Sequence, residues 1–238
     1  MSSPIHRCPK CGTYFKPARD PQSECPSCGI FFHKWVVEQV VAGEVLAIEE
    51  DDGDMFAPHA FNPVVFYGRV VALALVTMWG IAFAAMDYKG DELTRSFMHL
   101  TILPIHEAGH IFFMPFGEWM SVFGGSFFQV ALPAGIAIAF LWKQRDPFGA
   151  AITTWWTGAS LVDLSVYIYD ALHPQLILTS GTTGENGSHD WIYLLGGQLR
   201  HAQGYGTFVH HVGVLVMAAG IAWAGWYCWR AYKERPAA

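Results

Sequence analysis

From residue 120 to residue 142 the chain runs for twenty-three residues without a charge, and it does so again from 207 to 229. These runs constrain the fold more than any other feature. About twenty apolar residues cross the hydrocarbon core of a bilayer, and there a helix satisfies its own backbone polar groups. A third uncharged run, 70–86, is extended by 64–69 to spanning length. Residues 147–172 are apolar apart from Asp163 and Asp170, and residues 96–116 carry Glu107 as their only acid. Only 14% of the 238 residues are charged, against about 25% in a typical soluble domain. The expected fold is therefore an all-α polytopic membrane protein of about 4–6 membrane helices, with a small module at its N-terminus.

Trp and Tyr gather at the segment ends ("WWTG", "YIYD", "WYCWRAY"), as in an interfacial belt. Lys and Arg mark 143–145 and 230–235, whereas 173–188 contains neither. By the positive-inside rule the N-terminus, the 143 loop and the C-terminus face the cytoplasm. That requires an odd number of crossings between 87 and 142, so one segment there re-enters, unless the 143 loop breaks the rule. The first residues have no apolar signal core and are expected to stay in the cytoplasm. The membrane itself is expected to be a bacterial inner membrane.

Two CxxC pairs, Cys8/Cys11 and Cys25/Cys28, are separated by thirteen residues, close to the usual four-cysteine zinc spacing. Four thiolates close a tetrahedral shell with no position for water, so such a zinc is structural and contributes folding energy to a small module. A redox dithiol pair is the competing reading. Residues 8–29 resemble the zinc-ribbon family, whose members bind proteins or nucleic acids or serve as folded caps. With no basic stripe, a protein partner is favoured over nucleic acid. The expected organisation is a ribbon over 1–31, an amphipathic helix (32–50) and linker (51–63), and a membrane domain over 64–235. His6, His33 and His59 read as surface residues, His201, His210 and His211 as packing or interfacial residues, and Cys228 as an inert buried thiol.

The chemistry is concentrated in "HEAGH", residues 106–110. On a helix His106 and His110 share a face and can reach one metal. Glu107, at the edge of that face, can take a proton from activated water and return it to a leaving amine. An ionisable residue in an apolar segment is costly, which marks it as functional by default. The competing reading is a helix whose histidines bond neighbouring carbonyls. A catalytic zinc takes a third protein ligand and leaves one position open. Asp190, in "GSHDWIYLL", is the first candidate and His189 the next. Asp163 and Asp170 are alternative ligands, or partners that hold a ligand imidazole. Asp190 also reads as a helix N-cap.

The apolar "HEAGH" helix, the following "GGSFFQVALP" and a late aspartate, together covering about 97–200, resemble the site-2-protease (M50) family of intramembrane zinc metalloproteases. The resemblance implies zinc on His106, His110 and a distant aspartate, best matched by Asp190, with Glu107 as general base. It implies a substrate-pairing loop at Gly124, Gly125 and Ser126, with Gln129 as a nearby hydrogen-bond donor. The family's Asn-x-x-Pro…Leu-Asp-Gly segment is absent. The function so implied is hydrolysis of peptide bonds in membrane-embedded substrates. The alternatives are a non-catalytic metal-binding sensor or scaffold that docks partners through the ribbon, and a membrane zinc hydrolase with a non-peptide substrate.

Overall fold

The computed structural model describes residues 5–8, 11–20, 23–29, 31–32, 56–58, 61–184 and 189–236. The chain divides into two compact units, Met1–Asp52 and Gly53–Ala238. The amphipathic helix expected over 32–50 lies outside the described residues except for Phe32, as do His33, His59 and most of the expected linker.

In the first unit, β1 (Ile5–Arg7) pairs antiparallel with β2 (Tyr14–Arg19), setting Ile5 opposite Arg19 and Arg7 opposite Tyr14. Phe15 and Phe32 meet edge-on at 5.8 Å and close a core with Ile5 and the cysteines. That core is too small to hold so short a module by apolar burial alone.

The second unit is helical: α1 (Pro63–Ala84), α2 (Phe97–Phe113), α3 (Glu118–Lys143), α4 (Pro147–Asp170), a short α5 (Asp190–Leu195) and α6 (Ala202–Lys233). Local chemistry fixes several starts. Asn62 accepts hydrogen bonds from the N–H groups of Val64 and Val65 ahead of Pro63. Ser96 caps α2 by accepting from the His99 N–H. Both follow from the preference of Asn and Ser for the N-cap and of Pro for the first helical position.

Among the described residues three helical stretches are long and apolar enough to cross a membrane: Pro63–Ala84, Glu118–Lys143 and Asp190–Lys233. Their outer faces are apolar; Val64, Met78, Ile138 and Leu215 are all exposed. In water such a surface would drive association. In lipid it is the expected exterior. Helix α4 has the opposite character: fifteen of its 24 residues are buried. It is the central post, so its polar residues meet other helices. Gly206, Gly213 and Gly220 lie seven apart on α6, buried against α4. Such small residues let helix backbones approach without an apolar driving force between them.

The helix ends explain the charge pattern. Arg69, near the start of α1, donates to Asp146 (3.3 Å), just before α4, and to the Tyr227 hydroxyl (2.8 Å), near the end of α6. At the opposite end Tyr88 packs against Tyr169 and His210. Helix α3 runs antiparallel to α4, since Phe140 meets Gly149 and Gln129 meets Ser160. It therefore starts at the end where α1 finished. Residues 85–117 thus enter and leave the bundle at the same end. Helix α2 begins inside it, with Phe97 6.0 Å from Trp79 and Met98 packed with Phe83. The arginine and lysine clusters at 143–145 and 230–235 consequently share one end of the bundle.

Candidate metal centres

In the first unit the Sγ atoms of Cys8 and Cys28 are 3.6 Å apart and those of Cys11 and Cys25 3.8 Å. A tetrahedral ion with bonds of about 2.3 Å to sulfur sets its ligands about 3.8 Å apart, so the four cysteines could hold a metal ion. Two knuckles make this arrangement: the Gly12 N–H donates to Cys8 O, and the Gly29 N–H to Cys25 O. Both glycines have left-handed backbones, φ +73° and +70°, which a side chain would strain. The Thr13 side chain and N–H both bond the Cys11 sulfur and bring its pKa down to about 6, favouring the thiolate that binds metal.

The second group lies in the helical unit. His106, His110 and Asp190 bring their ligand atoms within 4.8 Å of one another. Asp190 Oδ2 is 3.1 Å from His106 Nε2 and 3.3 Å from His110 Nε2. Ligands about 2.0–2.1 Å from a tetrahedral ion sit about 3.3 Å apart. The other side of each ring is committed. His106 Nδ1 donates to Gln129 Oε1 (2.6 Å), because the Gln129 amide nitrogen itself donates to Ser160 O. His110 Nδ1 donates to the Ser121 carbonyl (2.9 Å). With the Nδ1 protons so placed, neutral imidazoles turn two Nε2 lone pairs and a carboxylate oxygen toward one point. Three such acceptors at these distances could hold a metal ion between them.

Helix α3 supplies the supporting wall, and the segment that the resemblance implied as a loop is part of it. Gly124, Gly125, Ser126 and Gln129 are buried in the middle of a continuous helix. Their backbone groups are bonded within that helix and offer no edge to an extended chain. Gly124 lets α2 cross closely, since a Cβ there would lie 2.8 Å from Gly109 O. A Cβ on Gly125 would lie 2.6 Å from the His110 ring. Ser126 accepts from the Trp191 indole N–H (3.1 Å), holding α5 against α3 beside Asp190. Gln129 orients His106 and donates to the Ser160 carbonyl. The segment that the resemblance implied as a loop is thus helical, and Gln129 lines the cavity beside His106.

The other candidates lie apart from the trio. His189, not Asp190, caps α5: its Nδ1 accepts the Trp191 N–H, and Asp190 is the first helical residue. His189 is buried against the Tyr167 ring, 3.4 Å from Asp170. Asp170 also accepts the N–H groups of Gln175 and Leu176. Asp163 pairs with His99 Nδ1 at 2.9 Å. Asp163 therefore holds an imidazole and Asp170 lies beside one, but neither imidazole belongs to the trio.

Two residues were missed in the sequence. The Tyr167 hydroxyl accepts the Asp190 N–H (3.0 Å), fixing the carboxylate's backbone. It lies four residues after Asp163 and three before Asp170, on one face of α4, and that spacing was the available signal. His99 lies two turns before His106 on α2. A cavity of about 540 Å³ opens onto His106, His110, Asp190 and the half-buried Glu107, and both missed residues line it. No family model, curated protein or solved structure matches the chain, so its function must be argued from these residues.

Proposed function

We propose that the helical unit is an intramembrane zinc metalloprotease, and that the first unit is a zinc ribbon. The observation that carries the first reading is the convergence of His106, His110 and Asp190 lone pairs beside Glu107 in a cavity of an apolar helical bundle. Two histidines and a carboxylate form a common catalytic zinc set, and four thiolates a common structural one. The resemblance of "HEAGH" and its surroundings to the site-2-protease family supports the same chemistry.

His106, His110 and Asp190 would hold the catalytic zinc, which supplies Lewis acidity to water and to the scissile carbonyl. Glu107 takes one proton from the attacking water as its oxygen bonds to the carbonyl carbon. It delivers that proton to the amide nitrogen as the C–N bond breaks. The products are a carboxylic acid and an amine, and Glu107 returns to its starting state. Gln129 and the Ser121 carbonyl hold both imidazoles in the tautomer this requires, and Tyr167 holds Asp190.

Four crossings (α1, α3, α4 and α6) with α2 re-entrant accommodate the positive-inside rule, since both basic clusters share a bundle end. That end is read as cytoplasmic, in a bacterial inner membrane, with the ribbon on the same side and a protein as its partner.

The test uses the purified full chain in detergent and in liposomes, with synthetic transmembrane peptides as substrates. Wild type is expected to carry two zinc ions per chain and to cleave. Glu107→Gln should keep both ions and lose cleavage, and Asp190→Ala should keep only the ribbon ion. Two ions without cleavage of any peptide would leave a structural or sensing centre and refute the protease. A single ion, confined to the ribbon, would refute any catalytic reading.

A further inference from the structure

The metal trio does not exhaust the chemistry of its cavity. His99 and Asp163 line the same space. Asp163 is the more enclosed, its side chain 6% exposed, and it sits 2.9 Å from His99 Nδ1. A buried carboxylate needs a cationic or strongly donating partner, and His99 is the group within hydrogen-bond distance. Nδ1 is committed to Asp163, and the ring geometry turns Nε2 away from it. His99 also lines the cavity, and as the protonated counter-ion of Asp163 it would have Nε2–H left over as a donor.

The distance sets what this donor can reach. Seven residues of α2 separate His99 from His106, about 10.5 Å along the axis at 1.5 Å per residue. That is too far for His99 to touch a bond being cut at the trio. An extended peptide advances about 3.3 Å per residue, so the same distance spans about three residues of substrate. Leu100 and Leu103, which also line the cavity, make the stretch between the two sites apolar. A tie between α2 and α4 alone would not need an imidazole open to the cavity, and the pair is expensive in an apolar surrounding.

We propose that His99, positioned by Asp163, is a substrate-recognition site that donates a hydrogen bond to a carbonyl or carboxylate oxygen about three residues from the scissile bond. This rests on the protease reading. It makes His99 a specificity residue and Asp163 its positioning residue, and it makes the preferred substrate an unwound segment with an acceptor at that place.

The experiment compares wild type with His99→Gln on peptides carrying Ala or Asp at the second to fourth residues on either side of the cleaved bond. Further peptides have single carbonyls in that range replaced by an alkene isostere. Gln can still donate to Asp163 but would turn its own oxygen toward the cavity, so the helix tie survives and the donor is lost. If the acceptor is a side chain, wild type favours Asp at the third residue by about 10–100-fold in kcat/KM, the size of a hydrogen bond to a charged group, and His99→Gln erases the preference. If it is the main chain, the isostere at that residue costs wild type a similar factor and costs His99→Gln nothing more. A uniform loss on every peptide, or no change, overturns the subsite. The peptide series in wild type tests the position preference even if the variant does not fold, and Asp163→Asn should weaken the same preference. Wild type that cleaves no peptide refutes the protease reading. Wild type that cleaves without position preference refutes only the subsite.

Discussion

Gly125→Ala sets two physical effects against each other. In a helix interior alanine is favoured over glycine by about 1 kcal/mol, so propensity alone predicts a more stable α3. The structure predicts damage at the site. The new Cβ would lie 2.6 Å from His110 Nε2 and Cε1 and 2.8 Å from His106 Nε2. Comfortable contact begins at about 3.5 Å, so an imidazole must retreat by about 1 Å. Metal–ligand distances tolerate only about 0.2 Å, and Gln129 and the Ser121 carbonyl hold the rings from behind. The rings cannot retreat and still bind. Metal affinity at the second centre is expected to fall by at least the roughly 10–100-fold that disturbing a ligand's support costs, while the ribbon ion is unaffected. Elemental analysis after dialysis against chelators of graded strength would read this, with the ribbon ion as internal reference. Two ions held as tightly as in wild type would refute the argument that the three ligands close around Gly125.

Replacing Gln129 with Leu removes the acceptor at His106 Nδ1. The second ion should then be lost to about 10–100-fold weaker chelator, by the same assay. Arg69→Met breaks the links to Tyr227 and Asp146 and is expected to cost about 1–3 kcal/mol, read as a lower Tm in detergent with metal content unchanged. In the metal-free ribbon, Cys11 holds its thiolate down to about pH 6 through Thr13. Exposed where Cys25 is buried, it should be alkylated before Cys25 at pH 7, and Thr13→Val should narrow that lead in mass-mapped labelling. As pH falls through about 6 the thiolate is lost, and Cys11 should slow toward the others.

Much of the local structure was written in the sequence. The motif segment 96–116 became α2 with its Ser96 cap and a closing turn, because apolar length and cap chemistry act over neighbouring residues. The CxxC knuckles were legible for the same reason. The loop expected at Gly124–Ser126 was not what formed. That loop was implied by the family resemblance, whereas the uncharged run over 120–142 read as a spanning helix; the paired glycines permit close contact with α2, a partner that the sequence does not reveal. Whether Asp190 or His189 would cap α5 was also undecidable locally, since both residue types can accept a backbone N–H.

The sequence by itself determined an apolar helical chain, a four-cysteine module, and two histidines and a glutamate on one helical stretch, because composition and short spacings fix these. Tertiary structure alone decided that Asp190, eighty residues after His110, completes the trio while Asp163 turns to His99 and Asp170 to His189. It also decided that 85–117 returns to the end it entered. Both outcomes depend on which helices pack together and at what depth, which contacts between distant residues establish.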